Sequence, residues 1–236
     1  MDRVHELEKQ ANKHIAEKDL GRAKLAFEQA IGAMQDSPTR DLVVLGRLLN
    51  NVGFVCRESG DFEGAERYFQ QALDAYRQLG TPDNPELAIT LQHLGRMAHR
   101  KHDYEASWSL WTEAFSIWKR LVLEKEQAGY IHYLASCLHA LAEHLADTGK
   151  YSQARQNFEQ ALDFREKVLP PDHPDTAENL ANLGRLCAYM EDFAAARAYL
   201  TRAVLIYKNQ LSAQHPIVLE LETLLAQVEN QVGKAN

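Results

Sequence analysis

The chain has 236 residues, of which 45% are hydrophobic and 25% charged, so it can bury a core and resembles neither a disordered nor a collagen-like chain. Its 33 acidic against 26 basic residues give a formal net charge of −7, which disfavours nucleic acid as the main partner because phosphate binding needs a basic field. No apolar run reaches the roughly 20 residues of a membrane span, and the N-terminus lacks the apolar stretch of a secretion signal, so no membrane partner is expected.

Eleven helices are predicted in chain order, because segments rich in Ala, Leu, Glu, Gln, Arg and Lys alternate with clusters of Gly and Pro. Five first helices are predicted at about 3–17, 40–59, 85–101, 128–148 and 174–190. Five second helices are predicted at about 20–35, 62–79, 104–125, 151–168 and 193–210, and a last helix at 216–232. Strand-like alternation is absent from the sequence, so the predicted class is all-α.

A small–large–small triplet recurs in each second helix, at spacings of 42, 42, 47 and 42 residues. Its five copies are Ala23-Phe27-Ala30, Ala65-Phe69-Ala72, Ser107-Trp111-Ala114, Ala154-Phe158-Ala161 and Ala196-Leu200-Ala203. The four-then-three spacing places each triplet on one face of a helix. The triplet therefore predicts close contact with a neighbouring helix, with the large residue filling the gap.

Two further markers keep the same spacings. One lies four residues before each triplet, where Asp19, Asp61, Asp103 and Asp192, with Lys150 in the fourth copy, precede an apolar residue. These aspartates are predicted helix N-caps, and Gly60 and Gly149 suit the end of the preceding helix. The other marker is a small residue in each first helix, at Ala11, Gly53, Gly95, Ala142 and Gly184, which predicts a helix contact too close for a larger side chain.

This combination of markers resembles the tetratricopeptide repeat, and the 42-residue spacing with proline between repeats resembles the kinesin light chain subtype. The stretch 161–184 carries that resemblance best, and His215-Pro216 repeats His173-Pro174 at 42 residues. The resemblance implies a right-handed α-α superhelical solenoid of five helix pairs plus a C-terminal capping helix. It implies a single domain over 1–236, with repeats at about 3–36, 40–80, 85–125, 128–169 and 174–211 and the cap at 216–232.

The last helix has no following partner, so its apolar residues are predicted to cover the end of the stack, as solenoids require. The residues expected to do so are Leu219, Leu224, Leu225 and Val228, with Glu222, Gln227, Glu229 and Asn230 facing water. The five extra residues between repeats three and four fall near Lys125–Tyr130, where a kink is predicted.

No catalytic, cofactor or metal site is predicted. The sequence has no phosphate-binding glycine loop and no Ser–His–Asp order, and Cys56, Cys137 and Cys187 are too scattered for a disulfide framework or a CxxC pair. They fit packing positions in a reducing compartment, the cytoplasm. The histidine-rich segment His139–His144 is one residue longer than the inverted zincin motif, so we interpret it as a solvated or groove-facing surface.

Four aromatic residues crowd the second helix of repeat three. Trp111 holds the triplet position, and Trp108, Phe115 and Trp118 extend the same stripe. Core packing is the favoured interpretation, and exposure of any of them would favour an interface instead.

In tetratricopeptide arrays the first helix of each pair lines a concave groove, and the small-residue marker places its inward positions. The resulting candidate peptide-binding residues are Arg47, Asn50, Asn51, Arg57, Gln92, His93, Arg96, Arg100, Asn182 and Arg185. The same positions include Phe54, Glu58, Ile89, His99, Ser136, His139, Ala140, Glu143, Ala146, Asp147, Glu178, Ala181, Ala188 and Tyr189. Asn51 and Asn182 occupy the position at which peptide-binding arrays carry a backbone-clamping asparagine.

Repeats two and three place four arginines and one glutamate in this set, although the protein is acidic overall. Because arginine binds carboxylates through paired hydrogen bonds, the expected partner is a peptide with acidic residues or a terminal carboxylate, and protonation of His93 and His99 near pH 6 would tighten it. The predicted function is a non-enzymatic adaptor. Alternatives are a ligand- or peptide-sensing regulator that changes superhelical shape, self-association, or a merely solvated concave face.

Overall fold

The protein is represented by a computed structural model that describes residues 2–35, 41–125 and 127–235. Within these ranges the chain forms eleven α-helices and no strand. They are α1 (Asp2–Ala16), α2 (Leu20–Gln35), α3 (Leu42–Glu58), α4 (Phe62–Gln78), α5 (Pro85–Arg100), α6 (Tyr104–Lys125), α7 (Ala128–Asp147), α8 (Tyr151–Val168), α9 (Pro174–Tyr189), α10 (Phe193–Gln210) and α11 (Pro216–Ala235).

The all-α class and the eleven predicted helices are confirmed. The predicted end of repeat one at 36 and the predicted start of the third helix at 40 lie outside the described residues. The insertion between repeats three and four lengthens the adjoining helices, since α6 has 22 residues and α7 has 20, and residue 126 of that stretch is not described.

Two compact units divide the chain, the N-terminal unit Met1–Arg120 and the C-terminal unit Leu121–Asn236. In the N-terminal unit α1 packs on α2 and α3 on α4, and α2 and α4 each pack on the first helix of the next repeat. In the C-terminal unit α7 packs on α8, α9 on α10, and α10 on α11. Each unit is therefore a succession of helix pairs, and the single-domain organisation stays a prediction.

The predicted N-caps form as hydrogen bonds from helix backbone to aspartate. Asp61 accepts from Gly64 N at 2.8 Å, and Asp192 accepts from Ala195 N at 3.1 Å. Asp19 and Asp103 accept in the same way, whereas Lys150 makes no side-chain cap. These bonds satisfy backbone donors that have no partner inside the helix.

The turn before each second helix needs one residue in the left-handed region. Gly60 and Gly149 hold that place with φ of 85° and 77°, as expected of glycine. The other three repeats use Lys18, His102 and Glu191, each with φ near 60°, so the turn geometry is retained without glycine.

The triplets form the core of each repeat, because all their small residues are fully buried and the large ones are at most 3% exposed. The small residue that marks each first helix allows the two helices of a repeat to approach closely. A Cβ at Gly53 would lie 2.6 Å from the Phe69 ring, and one at Gly95 would lie 2.5 Å from Trp111. The predicted close helix contact is therefore confirmed.

The capping helix α11 covers the end of the C-terminal core with three of the four residues predicted to do so, Leu224, Leu225 and Val228. Val218, Leu221 and Val228 are buried in that core, and Leu224 and Leu225 pack against it. Leu219, which was expected to face the core, is 49% exposed. Positions 218, 221, 225 and 228 recur at helical spacing and form one apolar stripe along α11. Residue 219 follows 218 directly and is therefore rotated by about 100° away from this stripe.

Two of the three tryptophans confirm the core interpretation of α6. Trp111 and Trp118 are buried, and their ring nitrogens donate to the backbone oxygen and the side-chain oxygen of Gln92, respectively. Trp108 does not fit the core interpretation, because this residue is 40% exposed. None of the described helices has a stretch long and apolar enough to span a membrane.

Candidate functional site

In the N-terminal unit, α3 and α5 present the groove positions predicted from the marker. Arg57 and His93 are half-buried there, and Arg96 and Arg100 are exposed. Burial depresses the pKa of His93 to about 3, with the charges of Arg57 and Arg96 as further causes. Both arginines therefore act on the same imidazole, and this set, Arg57, His93, Arg96 and Arg100, is called the arginine face below.

Arg57 is held on several sides. Its Nη1 lies 3.4 Å from His93 Nδ1, and its guanidinium lies 5.0 Å from the centre of the Phe54 ring. Its Nε and Nη2 donate to one oxygen of Glu58, at 3.2 and 2.8 Å. The guanidinium is thus oriented before any partner binds, and its bidentate edge is occupied by a carboxylate of the same chain.

His93 cannot supply the charge expected of it near pH 6. Its ring stacks on Phe69, with centroids 4.6 Å apart and planes 20° from parallel. Because its pKa lies near 3, it is neutral at pH 6, and the expectation that its protonation tightens an acidic partner is wrong. The neutral ring can accept a hydrogen bond from Arg57, so it acts as a positioning group.

Arg96 and Arg100 lie one helical turn apart on α5. Arg100 stacks over the Phe62 ring at 3.5 Å, in the geometry of a cation–π contact. Arg96 makes no ion pair with any residue that the structure describes. These two side chains carry charge that the N-terminal unit leaves available.

Several other predicted groove residues are engaged in packing. Asn50 is buried, and its Nδ2 donates to Thr90 Oγ1 at 2.8 Å across the α3–α5 contact. Arg47 pairs with Glu8 of α1, and Gln92 accepts from Trp118. Asn50 is therefore not accessible to a peptide, whereas the neighbouring Asn51 is half-buried.

In the C-terminal unit, the corresponding inward positions are organised around a buried histidine, His139. His139 Nδ1 lies 2.8 Å from Asn179 Oδ1, and Asn179 Nδ2 donates to the backbone oxygen of Phe158 at 2.7 Å. Because the Phe158 contact fixes the amide, Asn179 offers its oxygen to His139 and the proton is placed on Nδ1. His139 and His144 are buried, so the interpretation of this segment as a solvated surface is wrong for both.

The network then continues outward to the groove. Asn182 Nδ2 lies 3.3 Å from His139 Nε2, and Arg185 Nη1 donates to Asn182 Oδ1 at 3.0 Å. Arg185 Nε and Nη2 both donate to Glu220 Oε1 of α11, at 3.2 and 2.9 Å. Asn182 and Arg185 are therefore engaged with their own unit. Of the described residues, none form a cluster of three or more metal-ligating side chains.

Two adjoining clefts of about 440 and 460 Å³ lie between α9 and α11. Both are lined by Arg185, Leu224 and Gln227, and the larger also by Tyr189, which is 67% exposed. The residues of α11 were missing from the predicted groove. Ala226 lies 42 residues after Gly184, so extending the marker by one repeat would have identified Leu224 and Gln227.

A family model of the tetratricopeptide repeat matches residues 44–127 and 133–209. The chain therefore belongs to the tetratricopeptide repeat family. Proteins built from this repeat generally mediate protein–protein interaction and are generally non-enzymatic scaffolds.

Solved structures with the same architecture include BtubC (BKLC) from P. vanneervenii, at 21% identity and a TM-score of 0.75, covering 90% of this chain and 82% of that one. A Podosopora anserina protein of the kinesin light chain type, with nearly identical tetratricopeptide-like repeats, has 17% identity and a TM-score of 0.62, covering 89% and 98%. At these identities the likeness shows the fold alone.

Among curated proteins, the chain is similar to Protein NASP homolog 1 of Caenorhabditis elegans. The identity is 28%, and the match covers 48% of this chain and 36% of that protein. The chain thus spans little more than a third of the length of this relative.

Proposed function

We propose that the protein is an adaptor that binds an acidic peptide segment of another protein on the arginine face of the N-terminal unit. The observation that carries this proposal is the exposed pair Arg96 and Arg100 in a protein of net charge −7. Neither arginine pairs with a carboxylate of a described residue. They favour a partner that supplies the missing negative charge.

The chemistry of the face matches carboxylates. Each guanidinium offers two parallel N–H donors to a carboxylate, and such charge-assisted hydrogen bonds are the stronger kind. Phe54 and Phe62 support the guanidinium planes of Arg57 and Arg100 from below, which lowers the entropy lost when a ligand binds. Asn51, another predicted inward position of the same helix, offers an amide for the main chain of an extended peptide.

Loss of one charge-assisted bond is expected to cost about 1.5 to 3 kcal/mol of binding free energy. Affinity is also expected to fall as salt is added, because exposed charges are screened beyond about 10 Å at 0.1 M ionic strength. The binding therefore depends on both the number of acidic groups and the ionic strength.

The test uses a peptide array of acidic and neutral segments to obtain a ligand, which is then titrated against purified variants. The variant Arg96→Glu/Arg100→Glu is expected to lose most of the affinity. The control Arg22→Glu/Arg67→Glu makes the same change of net charge at two exposed arginines of the same unit and is expected to bind normally. Equal affinity of both variants would place the binding site elsewhere.

The compartment proposed for this adaptor is the cytoplasm. Cys56, Cys137 and Cys187 are all buried free thiols, and burial raises the pKa of each thiol. Such thiols are poor nucleophiles, so they suit packing in a reducing environment and supply no catalytic group to the adaptor.

A further inference from the structure

The ion pair between Arg57 and Glu58 joins neighbours in sequence, which is uncommon because successive side chains on a helix point in different directions. Glu58 is the last residue of α3, and one of its oxygens accepts from both Nε and Nη2 of Arg57. These two donors form the edge of the guanidinium to which a ligand carboxylate would bind. A carboxylate of the chain itself therefore stands where the proposed ligand would.

The two partners differ in how firmly they are held. The Arg57 side chain is 20% exposed and that of Glu58 is 45% exposed. Arg57 is fixed further by the Phe54 ring and by His93 Nδ1, whereas Glu58 has no polar partner other than this arginine among the described residues. When another carboxylate arrives, Glu58 can turn into water and Arg57 stays in place.

We propose that Glu58 is a specificity-determining residue, which competes with ligand carboxylates for Arg57 and so weakens every ligand that must reach this arginine. This inference rests on the proposed function of the arginine face. Glu58 is tethered beside Arg57, so its effective concentration is on the order of millimolar or higher. A lone carboxylate gains little by replacing it.

A segment with a second acidic group has an additional contact. Arg96 makes no ion pair with a described residue, so a ligand that reaches it meets no internal competitor there. A lone carboxylate can therefore bind at Arg96 without displacing Glu58, whereas a segment that contacts both arginines must displace it. Glu58 thus reduces the affinity that a segment gains from its second acidic group.

The experiment compares Glu58→Gln with the wild type, using two acetylated and amidated probes. One probe alternates four glutamates with leucines, and in the other three of the four glutamates are replaced by glutamine. Removal of the internal carboxylate is expected to tighten the four-glutamate probe, which reaches Arg57, by about two- to fivefold, the range of exposed ion pairs, and the single-glutamate probe by less. Selectivity between the probes then rises.

The matched control is Glu220→Gln, which makes the same charge change and removes the carboxylate that binds the same edge of Arg185. It is expected to leave both affinities unchanged. If Glu58→Gln leaves the four-glutamate probe unchanged, or if Glu220→Gln tightens it equally, the inference is overturned.

A second measurement needs no ligand. In a spectrum of ¹⁵N-labelled protein, the Arg57 Nε–H signal is expected to shift in Glu58→Gln, and an unshifted signal would contradict the ion pair. The proposed function fails separately, if Arg96→Glu/Arg100→Glu does not weaken the four-glutamate probe. If that variant weakens the probe but Glu58→Gln behaves as wild type, only the role of Glu58 is refuted.

Discussion

The two units use the same repeat positions in opposite ways. In both, a polar pair 40 residues apart joins successive first helices, Asn50 with Thr90 in the N-terminal unit and His139 with Asn179 in the C-terminal unit. Beyond that contact they diverge. The C-terminal unit continues the hydrogen bonds through Asn182 to Arg185, whereas the N-terminal unit leaves exposed arginines. An inward position of this fold can therefore be engaged in internal hydrogen bonds or left exposed.

Second helices show the same correspondence on the other side of the repeats. Tyr68 donates to Glu28 at 2.7 Å in the N-terminal unit, and Tyr199 donates to Glu159 at 3.3 Å in the C-terminal unit. The basic residues Lys24 and Arg155 pair with the N-cap aspartates Asp61 and Asp192 at 3.1 and 2.8 Å. The difference between the units is thus concentrated in the first helices.

The largest effect is expected from removal of α11, which belongs to the C-terminal unit. Deletion from Pro216 onward exposes Leu200 and Val204 of the core beneath it, and each buried aliphatic side chain contributes about 1.5 to 3 kcal/mol. The C-terminal unit should unfold or aggregate while the N-terminal unit keeps its hydrogen-exchange protection. A truncated chain that stays monomeric, with an unchanged melting temperature, contradicts the capping role of α11.

A matched pair of core substitutions compares the units directly. Phe69→Ala and Phe158→Ala remove equivalent buried rings, and each is expected to cost about 3 to 5 kcal/mol of unfolding free energy. The Phe69 ring also stacks on His93, which contacts Arg57. Phe69→Ala should therefore also loosen Arg57 and weaken the binding of an acidic ligand. Denaturant titration of each variant measures the stability. Costs below about 1 kcal/mol at both sites would contradict the packing described.

The buried polar pairs provide a smaller comparison. Thr90→Val leaves Asn50 with an unsatisfied amide donor, and Asn179→Ala deprives both His139 and the Phe158 carbonyl of their partner. Each change is expected to cost about 1 to 3 kcal/mol, because each removes at least two hydrogen bonds of a buried pair.

A double substitution distinguishes a polar penalty from simple loss of volume. Asn50→Leu combined with Thr90→Val replaces both partners by apolar groups, so part of the stability should return. If the double variant is less stable than the sum of the single ones, packing and not hydrogen bonding dominates this contact. Thermal and urea unfolding of the four proteins completes the cycle.

The last comparison concerns pH and His93. Its folded pKa of about 3 lies below the ordinary value near 6.5, so below pH 6.5 the unfolded chain binds a proton that the folded chain does not. Stability should therefore fall as pH drops from 7 toward 4, by at most about 1.4 kcal/mol per pH unit from this group. His93→Gln should show a shallower decline in urea titrations, and identical slopes would argue against a buried neutral imidazole.

The sequence predicted the helices well because the repeat is encoded locally. The N-cap aspartates bond to backbone within their own turn, and the triplets bury one face of a single helix. Neither requires knowledge of distant residues, so spacing alone was sufficient. The arginines of the N-terminal face were also found from spacing, since a fixed register selects the inward positions of every first helix.

Contacts between helices determine which of those inward side chains are accessible and which are engaged within the chain. Asn50 and His139 lie three residues before the small marker, a position that meets the next first helix. Whether Arg57 or Arg185 faces a free edge depends on Glu58 and Glu220, and the second of these comes from another helix. A one-dimensional pattern reports the face of a helix on which a side chain lies. The partner that occupies it can come from elsewhere in the chain, as Glu220 does, because hydrogen bonds and ion pairs require atoms brought within about 3 Å by the tertiary fold.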